Sequence, residues 1–253
     1  NYDLVKAMPV LSKAVAATPQ YLFPNRMICG FGDTHPGYLN TNPISRMIRN
    51  AQHNGKKEQE EYFTAMLKCF HPDAGKTKDN KKSVPVSISS FFDENPNIEA
   101  GKIEQYISPF FYAPNVSWLV QRNGMNPRHS LMISLNASEG NHMHANGISM
   151  ELYGKGYVLA PDAGIGLYLY SGLDYLEYYS QFPSHNTVCV DGISSYPVMK
   201  SNHSFDLKSS FPVSSEPGKA FTSVTYSDVS FREPESRADQ TRMMSIVTTG
   251  PET

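Results

Sequence analysis

Apolar positions recur at helical spacing through roughly the first 70 residues and change to short strand-like runs beyond about residue 84. Leu4, Val5, Met8, Leu11 and Val15 fall on one helical face, and Pro19 closes the run. Pro9 lies inside that pattern and should kink or shift it, because proline lacks the amide the helix needs. A second helix is predicted over residues 43–54, with Ile44, Met47, Ile48 and Ala51 on one face. Asn42 suits its N-cap and Pro43 its first helical position. A third helix is predicted over 57–70, carrying Tyr62, Phe63, Ala65, Met66, Leu67 and Phe70. Between the first two helices runs a glycine-rich loop, Gly30-Phe31-Gly32-Asp33-Thr34-His35-Pro36-Gly37. It has neither the lysine of a phosphate-binding loop nor the spacing of a dinucleotide fingerprint, so it receives no nucleotide role.

Residues 71–83 are polar, carry four lysines and show no periodicity, the mark of a linker or exposed loop. Strands are then predicted at 84–88, 103–111, 116–122, 130–135, 149–153, 157–160, 187–190, 220–226 and 242–248, with Gly, Pro, Asn and Asp between them. The pair at 149–153 and 157–160 reads as a hairpin turning at Gly154-Lys155-Gly156. Many short strands without interleaved helices indicate an antiparallel β-sandwich. The fold class is therefore α+β and multidomain: helices over 1–75, a linker at 76–83 and an antiparallel β-sandwich over 84–253.

Composition narrows the function. Of 253 residues, 40% are hydrophobic and 18% charged, which fits a folded chain. A formal net charge of −2 provides no global field to draw in nucleic acid. Three cysteines, Cys29, Cys69 and Cys189, are too few and too scattered for a disulfide framework or a thiolate metal site. No apolar run approaches the roughly 18 residues of a membrane span. The sequence opens at Asn1 without methionine and stops just after a predicted strand, so a piece of a longer protein is expected.

The candidate chemistry centres on Gly140-Asn141-His142-Met143-His144. It follows the apolar run Leu131-Met132-Ile133-Ser134-Leu135. If that strand continues to residue 144, both imidazoles project from one face. Asp162 ends the hairpin, and His185 opens a further predicted strand at 184–192. Two histidines and a carboxylate on adjoining strands form a set that a zinc-like ion takes. On residue types alone, the same residues read more readily as polar groups at strand ends, each hydrogen-bonded locally.

The three segments together, His142-Met143-His144, then residues 156–164, then residues 184–192, resemble the C-terminal domain of heparinase II/III-type polysaccharide lyases. The Gly32-Asp33 loop is also similar to that family. The resemblance covers most of the chain and implies the last helices of an (α/α) toroid followed by the β-sandwich. It implies β-elimination on an acidic, uronate-containing polysaccharide, glycosaminoglycan or alginate-like, in which a base removes the C5 proton and an acid protonates the departing O4. Carried over by position, His142 matches the active-site histidine. His144, Asp162 and His185 match the ligands of a zinc or similar divalent ion with a structural role. A tyrosine between Asp162 and His185 reaches the cleft in related lyases, and Tyr170 and Tyr178 are the candidates here. The family's catalytic tyrosine on a toroid helix has no clear counterpart; Tyr2 stands at the right end but suits a structural place at a helix start. Asn146 stands where an acidic residue is commoner. The resemblance also implies a secreted or periplasmic enzyme, and the low net charge leaves no nucleic-acid partner expected.

Two other classes remain beside it. A cupin-like metal enzyme uses His-x-His with a later Glu, but Glu151 lies seven residues after His144, at odd parity for a shared strand face. A non-catalytic carbohydrate-binding sandwich would use its tyrosines as stacking platforms and has no need of converging histidines.

Overall fold

The computed structural model describes residues 3–35, 37–70, 95, 97–140, 142–166, 172–198, 202–211, 223–231 and 239–248. The expected linker at 76–83, the expected strand at 84–88, and Tyr2, Tyr168 and Tyr170 lie outside them. Two compact units form: Asn1–Tyr21 with Tyr38–Ser108, and Leu22–Gly37 with Pro109–Thr253.

The first unit is helical. Helix α1 (Leu4–Ala7) starts at Asp3, whose carboxylate accepts the amide of Lys6 at 3.0 Å. It stops before Pro9, and α2 (Val10–Ala17) begins just after it, so the proline splits the first helical run into two. Helix α3 (Asn42–His53) carries Pro43 in its first turn. Asn42 is its first helical residue rather than its cap, and its amide is taken by the Asn40 side chain at 3.1 Å. Ile44, Met47, Ile48 and Ala51 bury one face of α3, while Phe63, Met66 and Leu67 of α4 (Lys57–Phe70) are buried in the same unit. Near the end of α4 the Lys68 ammonium donates to the carbonyls of Asn95 and Ile98 at 2.9 and 2.5 Å, tying the later segment to the helix.

The second unit holds two antiparallel sheets. Strands β1 (Phe110–Ala113), β2 (Trp118–Arg122), β3 (Met132–Asn136), β4 (Ser149–Gly154) and β5 (Tyr157–Ala160) lie side by side in sequence order. Strands β6 (Asp206–Phe211), β7 (Ser223–Phe231) and β8 (Gln240–Thr248) make the other sheet. The β4–β5 hairpin closes on Lys155-Gly156, with φ of 54° and 94°, the left-handed pair that a two-residue turn requires.

The middle of the larger sheet, β2 to β4, is covered on both faces. On one, Leu119 pairs with Leu135 and both join Ala145, Ile148, Phe182, Tyr196, Phe205 and Met244 in one apolar cluster. Met244 comes from β8, so both sheets contribute to this core. The alternate face carries Trp118, Ser134, Asn136, Glu151 and Tyr153. Loop Leu22–Gly37 lies over it. Phe31 stacks on Trp118 at 5.0 Å and Phe23 on Tyr153 at 5.6 Å between ring centroids. The Asn136 amide donates to the Gly30 carbonyl at 3.2 Å, and Glu151 accepts the Gly30 amide at 2.6 Å. All five residues of β2 are consequently buried.

Four expectations about strands change. Residues 103–105 form a 3₁₀ turn, and β1 starts only at Phe110. Strand β3 ends at Asn136 and does not run on to His144. Residues 184–192 form no strand: a 3₁₀ turn at Phe182–Ser184, built on Pro183, leads into them, and Asp191 and Gly192 take left-handed φ. Strand β6 goes unpredicted because Asp206, Lys208, Ser209 and Ser210 are all exposed, giving an edge strand with little apolar signal.

Leu119 sits fully buried at the centre of the shared core. Leu119→Ala is expected to destabilise the second unit by about 2–5 kcal/mol, read as a fall in the urea midpoint. An unchanged midpoint would mean that the two sheets do not share this core.

Candidate functional site

The site is assembled from three loops of the second unit. The first is the turn after β3. His142 adopts left-handed φ of 60°, unusual for a residue with a Cβ and tolerated only where the surroundings hold it. What holds it is the glycine-rich loop. The Asp33 amide donates to the His142 carbonyl at 3.0 Å, and Gly32, itself at φ 51°, lies so near that an added Cβ would strike the same oxygen. A bare backbone is needed there for the two turns to meet.

The Asp33 carboxylate then gathers three side chains. Its Oδ2 meets His142 Nδ1 at 2.6 Å. Its Oδ1 meets His144 Nε2 at 2.9 Å and accepts the Tyr175 hydroxyl at 2.8 Å. His142 and His144 therefore differ in setting although one residue separates them. The His142 side chain is 55% exposed, whereas that of His144 is fully buried. Tyr175 opens a single π-helical turn, Tyr175–Tyr179, and packs edge-on against the His144 ring at 5.6 Å. At the end of that turn the Ser180 carbonyl accepts the Ala145 amide at 2.9 Å, so the turn grips the backbone next to His144. Such π turns frequently accompany functional sites.

The third loop brings His185. Its Nδ1 meets Asp162 Oδ2 at 2.7 Å, and its ring lies 5.3 Å from that of His144. Both side chains of the His185–Asp162 pair are almost wholly buried. His144 Nδ1 and His185 Nε2 are buried with no hydrogen-bond partner among the described residues. As placed, no three His, Cys, Asp or Glu side chains among the described residues form a group able to hold a metal ion. Asp162 is engaged by His185 and by the Gly164 amide at 2.9 Å.

Charge follows from this packing. Burial acts to raise the Asp33 carboxyl, but the bonds from His144, Tyr175 and His142 outweigh it and hold it below the ordinary carboxylate value. Burial likewise opposes ionisation of Asp162, and His185 reverses the balance, so this carboxyl is also lowered. The His144 imidazole is pushed down by burial against the pull of Asp33. Glu151 is pushed up to about 8 by burial, with Asp162 adding to the shift. Its two carboxyl oxygens accept the backbone amides of Gly30 and Asp162, at 2.6 and 3.2 Å. Glu151 thus links the loop to the end of the hairpin.

Of the residues expected from the sequence, His142, His144, Asp162 and His185 come together in this unit. Tyr178 is 50% exposed and stacks edge-on with Tyr179. Tyr170 lies outside the described residues. The sequence reading leaves Asp33 without a role and passes over Tyr175 among its neighbouring tyrosines. The signal for Asp33 is the pair of glycines around Phe31, which marks a backbone that must approach another closely.

Comparison with known proteins bears on both parts of the chain. Residues 1–94 match the family described as endo-acting ulvan lyase 2nd domain. Residues 108–232 match the heparinase II/III-like C-terminal family. No curated protein sequence matches the chain. A crystal structure of heparinase III superposes with a TM-score of 0.60 at 14% identity, over 98% of this chain and 33% of that one. A heparinase III gene product with methylated lysines gives 0.59 at 16% identity, over 96% of this chain and 30% of that one. Heparan sulfate lyase HepC from Pedobacter heparinus gives 0.52 at 15%, over 90% and 29%. The chain thus spans about a third of the length of these structures, and at such identities the likeness speaks for the fold. The heparinase II/III-like match, over residues 108–232, takes in every side chain of the cluster except Asp33.

Proposed function

We propose that the protein containing this chain is a polysaccharide lyase that cleaves a uronate-containing polysaccharide by β-elimination. In this reading the four helices are the last of an (α/α) toroid and the two sheets are the antiparallel sandwich that follows it. The observation that carries the reading is the gathering of exposed His142 and buried His144 on one carboxylate, within a chain whose two parts match lyase families. The matched descriptions name ulvan lyase and heparinase, and a secreted or periplasmic location suits a large polysaccharide substrate.

The chemistry asks for three things. The uronate carboxylate must be neutralised so that the C5 proton becomes acidic, a base must take that proton, and O4 must leave protonated. His142 is the exposed member of the cluster and is placed to meet the uronate carboxylate. Its left-handed turn and its bond to Asp33 hold the ring ready before substrate arrives, which is the condition for electrostatic help without reorganisation. Tyr175 is buried with its hydroxyl on Asp33 and supports the cluster from behind.

A divalent, zinc-like ion is proposed behind His142, held by His144 and His185; Asp162, expected as a further ligand, takes the far nitrogen of His185 instead. The unpartnered buried nitrogens, His144 Nδ1 and His185 Nε2, fit this group, because burying a polar atom without a partner is costly. Each ring also offers its other nitrogen to a carboxylate, His144 to Asp33 and His185 to Asp162, the arrangement that orients metal-bound histidines. Two imidazoles on one tetrahedral ion have centroids roughly 5 Å apart, against 5.3 Å here. Such an ion supplies binding energy that braces these segments rather than a group that reacts.

Three outcomes test these readings. Elimination leaves a C4–C5 double bond conjugated to the carboxylate, so full-length enzyme incubated with a panel of uronate polymers should raise near-ultraviolet absorbance. Chain cleavage without that rise would mean hydrolysis and end the lyase reading. His144→Ala should strip a bound divalent ion, measured by elemental analysis, and lower the melting temperature; unchanged metal content in this variant would remove the ion site. His142→Ala should lower kcat by about 10²-fold or more with metal content and melting temperature close to wild type. Metal loss in that variant would instead place His142 among the ligands.

A further inference from the structure

Asp33 reaches the cluster from a part of the chain more than a hundred residues away, and its contacts divide into two kinds. The backbone contact fixes where His142 stands: the Asp33 amide holds the His142 carbonyl at 3.0 Å, with Gly32 packed against the same oxygen. The side-chain contact fixes how the His142 ring is turned, since Oδ2 lies 2.6 Å from Nδ1. A half-exposed histidine on a loop ordinarily samples several rotamers, and such freedom lowers the fraction of time a catalytic group points correctly. Here the second oxygen of the same carboxylate is anchored on two buried groups, His144 Nε2 at 2.9 Å and the Tyr175 hydroxyl at 2.8 Å. Asp33 thereby transfers the rigidity of the buried side of the cluster to its exposed member.

We infer that Asp33 is a positioning residue for His142. It takes the Nδ1 edge of the ring and thereby fixes the direction in which the Nε2 edge faces, so that the ring meets the substrate in one orientation. A carboxylate on one ring nitrogen selects the tautomer and direction of the other, as in the pairing of Asp with His in hydrolase triads. The inference rests on the lyase reading for its kinetic consequence but not for its structural one. An amide at this position retains a single acceptor oxygen for the three groups that Asp33 now serves. It also presents an NH₂ group that demands an acceptor nitrogen on its neighbour.

The test is a double-mutant cycle in the full-length enzyme, Asp33→Asn against His142→Ala, with rates followed by absorbance of the unsaturated product. Asp33→Asn is expected to lower kcat by about 10²-fold while KM moves by less than about threefold. In the His142→Ala background the same change should cost less than about threefold, because the two residues act as a unit. Losses that simply multiply would overturn the inference, since Asp33 would then act other than through His142. A crystal structure of the Asp33→Asn protein gives a readout independent of the reaction. A His142 ring turned from its wild-type direction supports the inference, and a ring left in place overturns it. If the wild-type enzyme forms no unsaturated product from any uronate polymer, the lyase reading falls while the crystal structure still decides the role of Asp33. Should Asp33→Asn fail to fold, Asp33→Ser takes its place. If neither variant folds, the carboxylate is a structural element and the inference is wrong.

Discussion

The arrangement depends on one carboxylate accepting from three directions. An Asp side chain has two oxygens and about four lone-pair sites, and when ionised it can only accept. Asp33 gives those sites to His142, His144 and Tyr175, and the three donors in return keep it ionised against burial. The partners come from a turn after β3 and from a π-helical turn far along the chain. The shared acceptor adds to the Ala145–Ser180 backbone bond in holding these segments together. The carboxylate is in turn held from below: the Gly30 amide sits on Glu151 and the Gly30 carbonyl on Asn136, both on the covered face of the larger sheet. Sheet, loop and histidines thus form one chain of hydrogen bonds in which each link positions the next.

That face explains the polar character of the sheet interior. Ser134, Asn136, Ser149 and Glu151 are buried on strands that would otherwise pack apolar side chains. Buried polar groups are tolerable when each finds a partner. Here the backbone of Leu22–Gly37 provides some of those partners, at Gly30, while Phe23 and Phe31 stack on Tyr153 and Trp118. The loop behaves as an irregular covering layer, with aromatic residues supplying area and main-chain groups supplying specificity. Asp162 meets the same layer, since Gly30 leaves no room for a Cβ beside it.

Much of the local structure is legible in the sequence. The buried faces of α3 and α4, the break at Pro9, and the tight β4–β5 hairpin all follow from short-range rules. The grouping of His142, His144, Asp162 and His185 is legible as well, although the strands invoked to bring the histidines together do not exist. His142 and His144 are placed by a turn and by Asp33, not by strand parity, so one is exposed and the other buried. His185 is delivered by a proline-built 3₁₀ turn instead of a strand. The Asp33 contacts are illegible because they join residues 109 and 111 positions apart in the chain, and no periodic pattern encodes such a pairing. Tyr175 is hidden for another reason: in a segment crowded with tyrosines, only the packing of the π turn tells the buried ring from exposed Tyr178.

The loop from Leu22 to Gly37 belongs to the sheet unit, yet helical segments flank it on both sides in the sequence. The sheet unit is therefore not a contiguous stretch of coding sequence. A recombination event that moved only residues 108–232, the span of the family match, would leave behind the layer that covers one face of β2, β3 and β4. Inheritance of the histidine cluster is thereby tied to inheritance of the helices around the loop.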